Sequence, residues 1–259
     1  MKIDKSKIPS KTDYNNWTWS YSRVNSFNTC PRQFYYSYVD KQVENETENA
    51  FAQYGTFMHE LIEKVLLSEL TKYEAVKVFK DEFGTRVTAK FPYMKNNNFK
   101  QSFWNQGWTY LQFFEMPYES VAVEQKVDFK IGRYNVTGYI DWVCRTPNGK
   151  LVILDHKSKG EIGPAEKDEY FRQLYIYSLE AEKLYKEEPV GLVLNLFRKN
   201  TLVKEAFDKN KQKQAAEWFK ATIGDIKNEK EFKRGLDPGK DFFCKHICSH
   251  KWRCLDDGN

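Results

Sequence analysis

The chain has 259 residues, 41% of them hydrophobic, enough to bury a sizeable core as one domain with elaborations. Its 41 basic and 36 acidic residues leave a formal charge of +5, compatible with a nucleic-acid partner without being diagnostic of one. The charged opening MKIDKSKIPSKTDYNNW has no apolar leader core and no apolar run reaches membrane-span length, so the expectation is a cytoplasmic protein with no membrane association. Five cysteines, an odd number, fit a secreted disulfide framework poorly.

Residues 1–17 read as a polar lead-in, partly disordered. From Ser20 to Asp40, a serine-initiated segment with Pro31 directly after Cys30 predicts two short helices meeting near Cys30. Glu44 to Asn49 reads as an exposed acidic loop. Phe57, Leu61, Ile62, Val65 and Leu66 recur close to the helical period, which predicts a helix over 50–70 carrying His59. Helices over 72–84 and 98–116 follow. Between them, the basic, aromatic and asparagine-rich stretch 86–100 predicts a mobile loop. Arg86, Lys90, Lys95 and Lys100 suit phosphates there, and Phe91 or Tyr93 suits bases, as in single-strand binders; a solvated linker would have the same composition.

From Tyr118 the period becomes two. ESVAVEQKVDFKI and RYNVTGYIDWVC read as a hairpin about Gly132, and the turn Pro147-Asn148-Gly149 leads into LVILDHK, completing a three-stranded antiparallel meander. A helix over 166–186 stops before Pro189. Strands at 190–197 and 201–207 and an amphipathic helix over 209–227 complete the pattern. This order predicts an α/β fold with a central mixed sheet flanked by helices. The expected layout within a single domain is a helical region over 18–117, a core over 118–207, and a helix with a cysteine tail over 208–259.

The chemistry concentrates where the apolar run Leu151 to Leu154 meets Asp155, His156 and Lys157. Strand alternation points Asp155 and Lys157 to one side and His156 to the other. Alone, this is an ordinary ion pair at the end of a buried strand. Asp141, between Ile140 and Trp142, changes the reading. Pairing around the 147–149 turn brings it beside Asp155, and two buried carboxylates repel unless a cation bridges them. A hard divalent ion such as Mg²⁺ serves, polarising a phosphoryl oxygen while Lys157 holds or deprotonates the attacking water. Those parts make a phosphodiesterase site. Glu124 is either a further acidic ligand or a half-exposed strand residue.

GYIDWV and LVILDHKSK, with Asp141, Asp155 and Lys157, resemble the signature of the PD-(D/E)XK nuclease superfamily. YGTFMHELIE with His59, and QLYIY with Gln173 and Tyr177 one helical turn apart, resemble the RecB-like branch. CPRQFYY at Cys30, together with Cys244, Cys248 and Cys254, resembles its iron-sulfur version, which occurs in helicase-nuclease subunits and CRISPR-associated adaptation nucleases. The resemblance implies a restriction-endonuclease-like core. It implies Mg²⁺ or Mn²⁺ held by His59, Asp141, Asp155 and the main-chain carbonyl of His156, the histidine nitrogen favouring Mn²⁺ relative to an all-oxygen site. Lys157 would orient and activate water, and Gln173 and Tyr177 would position Lys157 or the DNA backbone.

The implied activity is that of a DNA exonuclease acting on single strands or DNA ends in a bacterial or phage-infected cell, possible partners being a helicase or a recombination protein. The alternative is a DNA-end-binding accessory subunit of such a complex with little activity of its own. No glycine-rich phosphate loop occurs, so no ATP-driven motor is expected in this chain. Four cysteines suffice for a 4Fe-4S cluster or a Cys₄ zinc site, and His246 and His250 also permit a mixed zinc site. The resemblance favours the cluster, although three residues, rather than the two common in the family, separate Cys244 from Cys248. Zinc in the tail would instead suit a zinc-stabilised nucleic-acid-binding protein. Cys144 reads as a small buried hydrophobe.

Overall fold

Two-residue alternation from Glu119 builds strands, and helical patterning on either side of it builds helices. The structure, a computed structural model, describes residues 3–41, 49–237 and 240–256; all but the last residue of the acidic stretch 44–49 lies outside these. In chain order the elements are α1 (Lys11–Asn15), β1 (Thr18–Trp19), α2 (Tyr21–Thr29), α3 (Pro31–Phe34) running on as a π-helical turn (Tyr35–Asp40), α4 (Ala50–Leu66), α5 (Lys72–Arg86) and α6 (Phe99–Phe113). Then come β2 (Glu119–Ile131), β3 (Tyr134–Arg145), β4 (Leu151–Lys157), α7 (Pro164–Tyr185), β5 (Gly191–Leu196), β6 (Thr201–Ala206), α8 (Lys209–Asn228), α9 (Phe242–His246) and α10 (Lys251–Asp256). Among the described residues, 50–127 and 138–215 form one unit and the remainder a second. Three of the four boundaries fall inside β2, β3 and α8 and the fourth directly before α4, so strand and helix patterning does not mark the division.

In the 50–127/138–215 unit, β4 lies in the middle of a mixed sheet. It runs antiparallel to β3, with Trp142 opposite Leu154 and Arg145 opposite Leu151, and parallel to β5, with Asp155 opposite Leu194. β6 is antiparallel to β5, and β2 pairs with β3. A parallel pair needs a crossover, and α7 supplies it between β4 and β5. Pro164 opens that helix, and the Glu166 carboxylate accepts the Gly163 N–H at 3.2 Å, which fixes where it starts.

Trp142, Cys144, Val152, Leu154 and Val193 form one apolar layer of this unit, and Cys144 is fully buried in it. A second, aromatic cluster joins α4, α5 and α6 through Tyr54, Phe57, Phe79, Phe103 and Tyr110. Burying each such ring contributes roughly 1.5–3 kcal/mol. α4 ends at Leu66, short of the expected residue 70, where the chain turns through Ser68 at φ 60°. α5 runs two residues past its expected end, so Arg86 closes a helix instead of opening a loop.

In the second unit, β1 pairs in parallel with Asn135 and Val136 of β3. The lead-in is not disordered over its described residues: a Ser10–Asp13 capping box opens α1, and Tyr14 is fully buried against Trp17 and Trp19. Aromatic burial outweighs the polar composition there. α2 and α3 meet at Cys30 as expected, with Pro31 at the first helical position. Asp40, at the end of the π-helical turn, is paired with Lys7 and Arg253. No helix among the described residues is long and apolar enough to cross a membrane.

Candidate active site

Five elements of the 50–127/138–215 unit deliver the polar residues of one site. β3 brings Asp141, β4 brings Asp155 to Lys157, α4 brings His59, β2 brings Glu124, and α7 brings Gln173 and Tyr177. Alternation along β4 acts as the spacing demands. Lys157 Nζ lies 2.8 Å from Asp155 Oδ2 and donates to Gln173 Oε1 at 3.0 Å, while the His156 ring meets Asn195 at 2.8 Å. Asp141 Oδ2 accepts the main-chain N–H of His156 at 2.7 Å and lies 3.7 Å from His59 Nδ1. His59 is also hydrogen-bonded to the backbone of His156.

Among the described residues, one atom each of His59, Glu124 and Asp141 lie within 4.8 Å of one another, a nitrogen and two carboxylate oxygens able to take a divalent cation with little closure. Asp155 is engaged by Lys157 beside this trio. The charge balance also fits a cation. Burial, and then the Asp155 charge, push the Asp141 carboxyl well above the usual carboxylate range; burial, Glu63 and Asp155 raise Glu124. Burial pulls His59 down and His156 well down, favouring the neutral imidazole, the form in which a ring nitrogen can take a cation. Burial also opposes the charged form of Lys157, but Asp155 and Asp141 outweigh it and raise its pKa.

Glu124 reaches the trio through its backbone. Its φ of 49° is left-handed, rare for a non-glycine residue in a strand, and breaks the side-chain alternation of β2 as a bulge does. No sequence signal marks this. Two further residues also escape sequence reasoning. Tyr170, one turn before Gln173 on α7, places its ring 4.9 Å from Lys157 Nζ. Gly138 gives room to Tyr177, whose side chain is hydrogen-bonded to Gln173. A relay Tyr177–Gln173–Lys157–Asp155 results.

The 86–100 stretch divides. Arg86 is ion-paired with Glu60 and with Glu82 and lies over the Phe57 ring, so carboxylates already engage the guanidinium expected to meet phosphate. Phe91 packs on Phe51 and Phe103, with ring centroids 5.3 and 5.1 Å apart, and is not a free stacking surface. Lys90, Lys95 and Lys100 are exposed, and Tyr93 is 89% exposed. Residues 87–100 line an open concave space of about 790 Å³.

A family model, that of the PD-(D/E)XK nuclease superfamily, matches residues 18–255, nearly the whole chain. The chain belongs to the PD-(D/E)XK nuclease superfamily. Nucleases of this superfamily use divalent metals such as Mg²⁺ and Mn²⁺, in keeping with the donor set formed by His59, Glu124 and Asp141. Among solved structures, this PD-(D/E)XK chain is similar to one described as the crystal structure of SSO0001, at 14% identity and a TM-score of 0.32, covering 92% of this chain and 96% of that one. No curated protein matches it.

The other unit of this superfamily member gathers the predicted cysteines. Cys30, Cys244, Cys248 and Cys254 line one cavity together with His250, and all are free thiols. Burial, then the neighbouring Cys248 and Cys30, push the Cys244 thiol up to about 12. The Gly235 N–H points at Cys30 Sγ, 3.4 Å away, a donor suited to a thiolate. His250 Nε2 is engaged with Ser37 Oγ at 2.8 Å, and the His246 ring packs on Phe242 with centroids 4.8 Å apart.

Proposed function

We propose that this PD-(D/E)XK protein is a DNA exonuclease acting on single strands or DNA ends. The observation that carries the reading is the convergence of His59, Glu124 and Asp141 beside the Lys157–Asp155 pair. His59, Asp141 and Glu124 would hold Mg²⁺ or Mn²⁺, with Asp155 and the His156 carbonyl alongside. A divalent ion held by these residues would supply Lewis acidity for a phosphoryl oxygen and for water. Lys157 donates to Gln173, is ion-paired with Asp155, and would use a remaining N–H to orient the attacking water. Gln173 holds Lys157 from one side, Tyr177 holds Gln173, and the Tyr170 ring limits where the ammonium can go.

The resemblance of the His59 and Gln173–Tyr177 motifs to RecB-like nucleases supports end-dependent cleavage. Exposed Lys90, Lys95, Lys100 and Tyr93 offer charge and one stacking ring to a single strand. With no motor motif in the sequence, unwinding would come from a helicase or recombination partner.

Cys30, Cys244, Cys248 and Cys254 would hold a 4Fe-4S cluster with a structural role. Among the described residues, no three of these sulfur and imidazole donors lie within 4.8 Å of one another.

The test is an anaerobic assay with 5′- and 3′-labelled linear oligonucleotides beside a closed circular single strand. End-dependent shortening of the linear DNA with the circle left intact is expected. Equal cleavage of the circle would overturn the exonuclease reading.

A further inference from the structure

The mechanism above uses only the main chain of His156. Its side chain is nevertheless part of a buried polar row on a face of β4–β5 whose other residues, Val152, Leu154 and Val193, are apolar. His156 is 4% exposed, Asn195 0% and Tyr110 1%. His156 and Asn195 are register partners across the parallel β4–β5 pair, one step beyond the pair Leu154 and Val193. The Asn195 amide nitrogen lies 2.8 Å from His156 Nδ1 and 2.6 Å from the Tyr110 hydroxyl. If that nitrogen donates to both, Nδ1 is the acceptor and the His156 proton sits on Nε2. Nε2 and Asn195 Oδ1 are buried with no hydrogen-bond partner among the described residues. An apolar pair here would fold at lower cost, so a buried, hydrogen-bonded polar row calls for a use beyond packing.

That use lies one covalent step away. The His156 N–H fixes Asp141 Oδ2 at 2.7 Å, the same residue's backbone holds His59, and the two imidazoles meet edge to face with centroids 5.8 Å apart. Two of the candidate metal ligands, on α4 and β3, thus take their position from His156. Asn195 and Tyr110 fix its ring, and so its torsions. We propose that Asn195 and Tyr110 are positioning residues for the divalent-metal centre, acting through His156 to hold His59 and Asp141 in register.

The inference rests on the metal-centre reading, and the experiment separates the two. Mn²⁺ binding to the full chain is measured by calorimetry without DNA, for wild type, Asn195→Leu and Tyr110→Phe, alongside thermal melting. The expected result is Mn²⁺ affinity lowered about 10- to 100-fold by Asn195→Leu and about tenfold by Tyr110→Phe. Tyr110→Phe is expected to leave the melting temperature near that of wild type, and the KM for an oligonucleotide to stay unchanged. A stability role alone would lower melting and leave Mn²⁺ affinity as it was. Wild type that binds Mn²⁺, with both variants binding it equally well, overturns this inference alone. Wild type that binds no Mn²⁺ overturns the metal-centre reading and this inference with it. Should Asn195→Leu not fold, Tyr110→Phe decides, because it removes a single oxygen.

Discussion

The hydroxyl of Tyr177 stands where a side chain at position 138 would begin: a Cβ on Gly138 would lie 2.5 Å from that oxygen and 2.6 Å from Cζ of the ring. Since Tyr177 holds Gln173 and Gln173 holds Lys157, Gly138→Ala displaces the relay from its far end. The expected outcome is a kcat lowered by about 10- to 100-fold with the KM for DNA nearly unchanged. Steady-state cleavage of a labelled oligonucleotide checks it, and an unaltered kcat would contradict the relay.

Glu124 sets stability against function. At φ 49° a side chain costs about 1 kcal/mol that glycine avoids, while the Glu124 carboxylate faces His59 and Asp141. Glu124→Gly should therefore be at least as stable to urea as wild type without metal, and should bind Mn²⁺ at least tenfold more weakly. Denaturation and calorimetry on the same preparation read both.

The four clustered thiols make a prediction visible by eye. Protein purified without oxygen should be brown and carry about four irons per chain, and Cys30→Ser should lose colour and melt at lower temperature. Colourless protein with stoichiometric zinc would contradict the cluster.

Asp40 gives the 3–49/128–137/216–256 unit an acid-sensitive contact. Burial alone would raise its carboxyl pKa, but the hydrogen bonds from Lys7 and Arg253 prevail and hold it below the usual carboxylate value. A carboxylate with a depressed folded-state pKa stabilises fully above its unfolded value, about 3.9, and that stability is lost as pH falls through the folded value. Asp40→Asn should therefore be less stable than wild type at pH 6, with the gap closing below about pH 4. Urea unfolding across that range measures it.

What the sequence made legible was what local periodicity fixes. Two-residue alternation on β4 put Asp155 and Lys157 opposite His156, a recognisable turn brought Asp141 alongside, and helical spacing aligned Gln173 with Tyr177. Glu124 was ambiguous because its direction depends on one left-handed torsion inside a strand. Asn195 in VLNLF and Tyr110 in an aromatic helix read as core, since only the β4–β5 register and the approach of α6 make them partners of His156. Arg86 suited phosphate in the sequence because its partner Glu60 lies on α4, a context composition does not carry, while Glu82 stands one turn back on its own helix. The two-unit division was hidden for a similar reason, three of its four boundaries running through strands and a helix.

The most direct measurement is cleavage of a labelled single-stranded oligonucleotide with Mn²⁺, under anaerobic conditions, by wild type, Asp155→Ala and Lys157→Ala, with DNA binding recorded in parallel. Wild type is expected to cleave, and each variant to lose about 10²- to 10⁴-fold in rate while still binding DNA. Wild type that fails to cleave with its cysteine site intact, or an Asp155→Ala variant that cleaves undiminished, would contradict a metal-dependent site built on Asp141, Asp155 and Lys157.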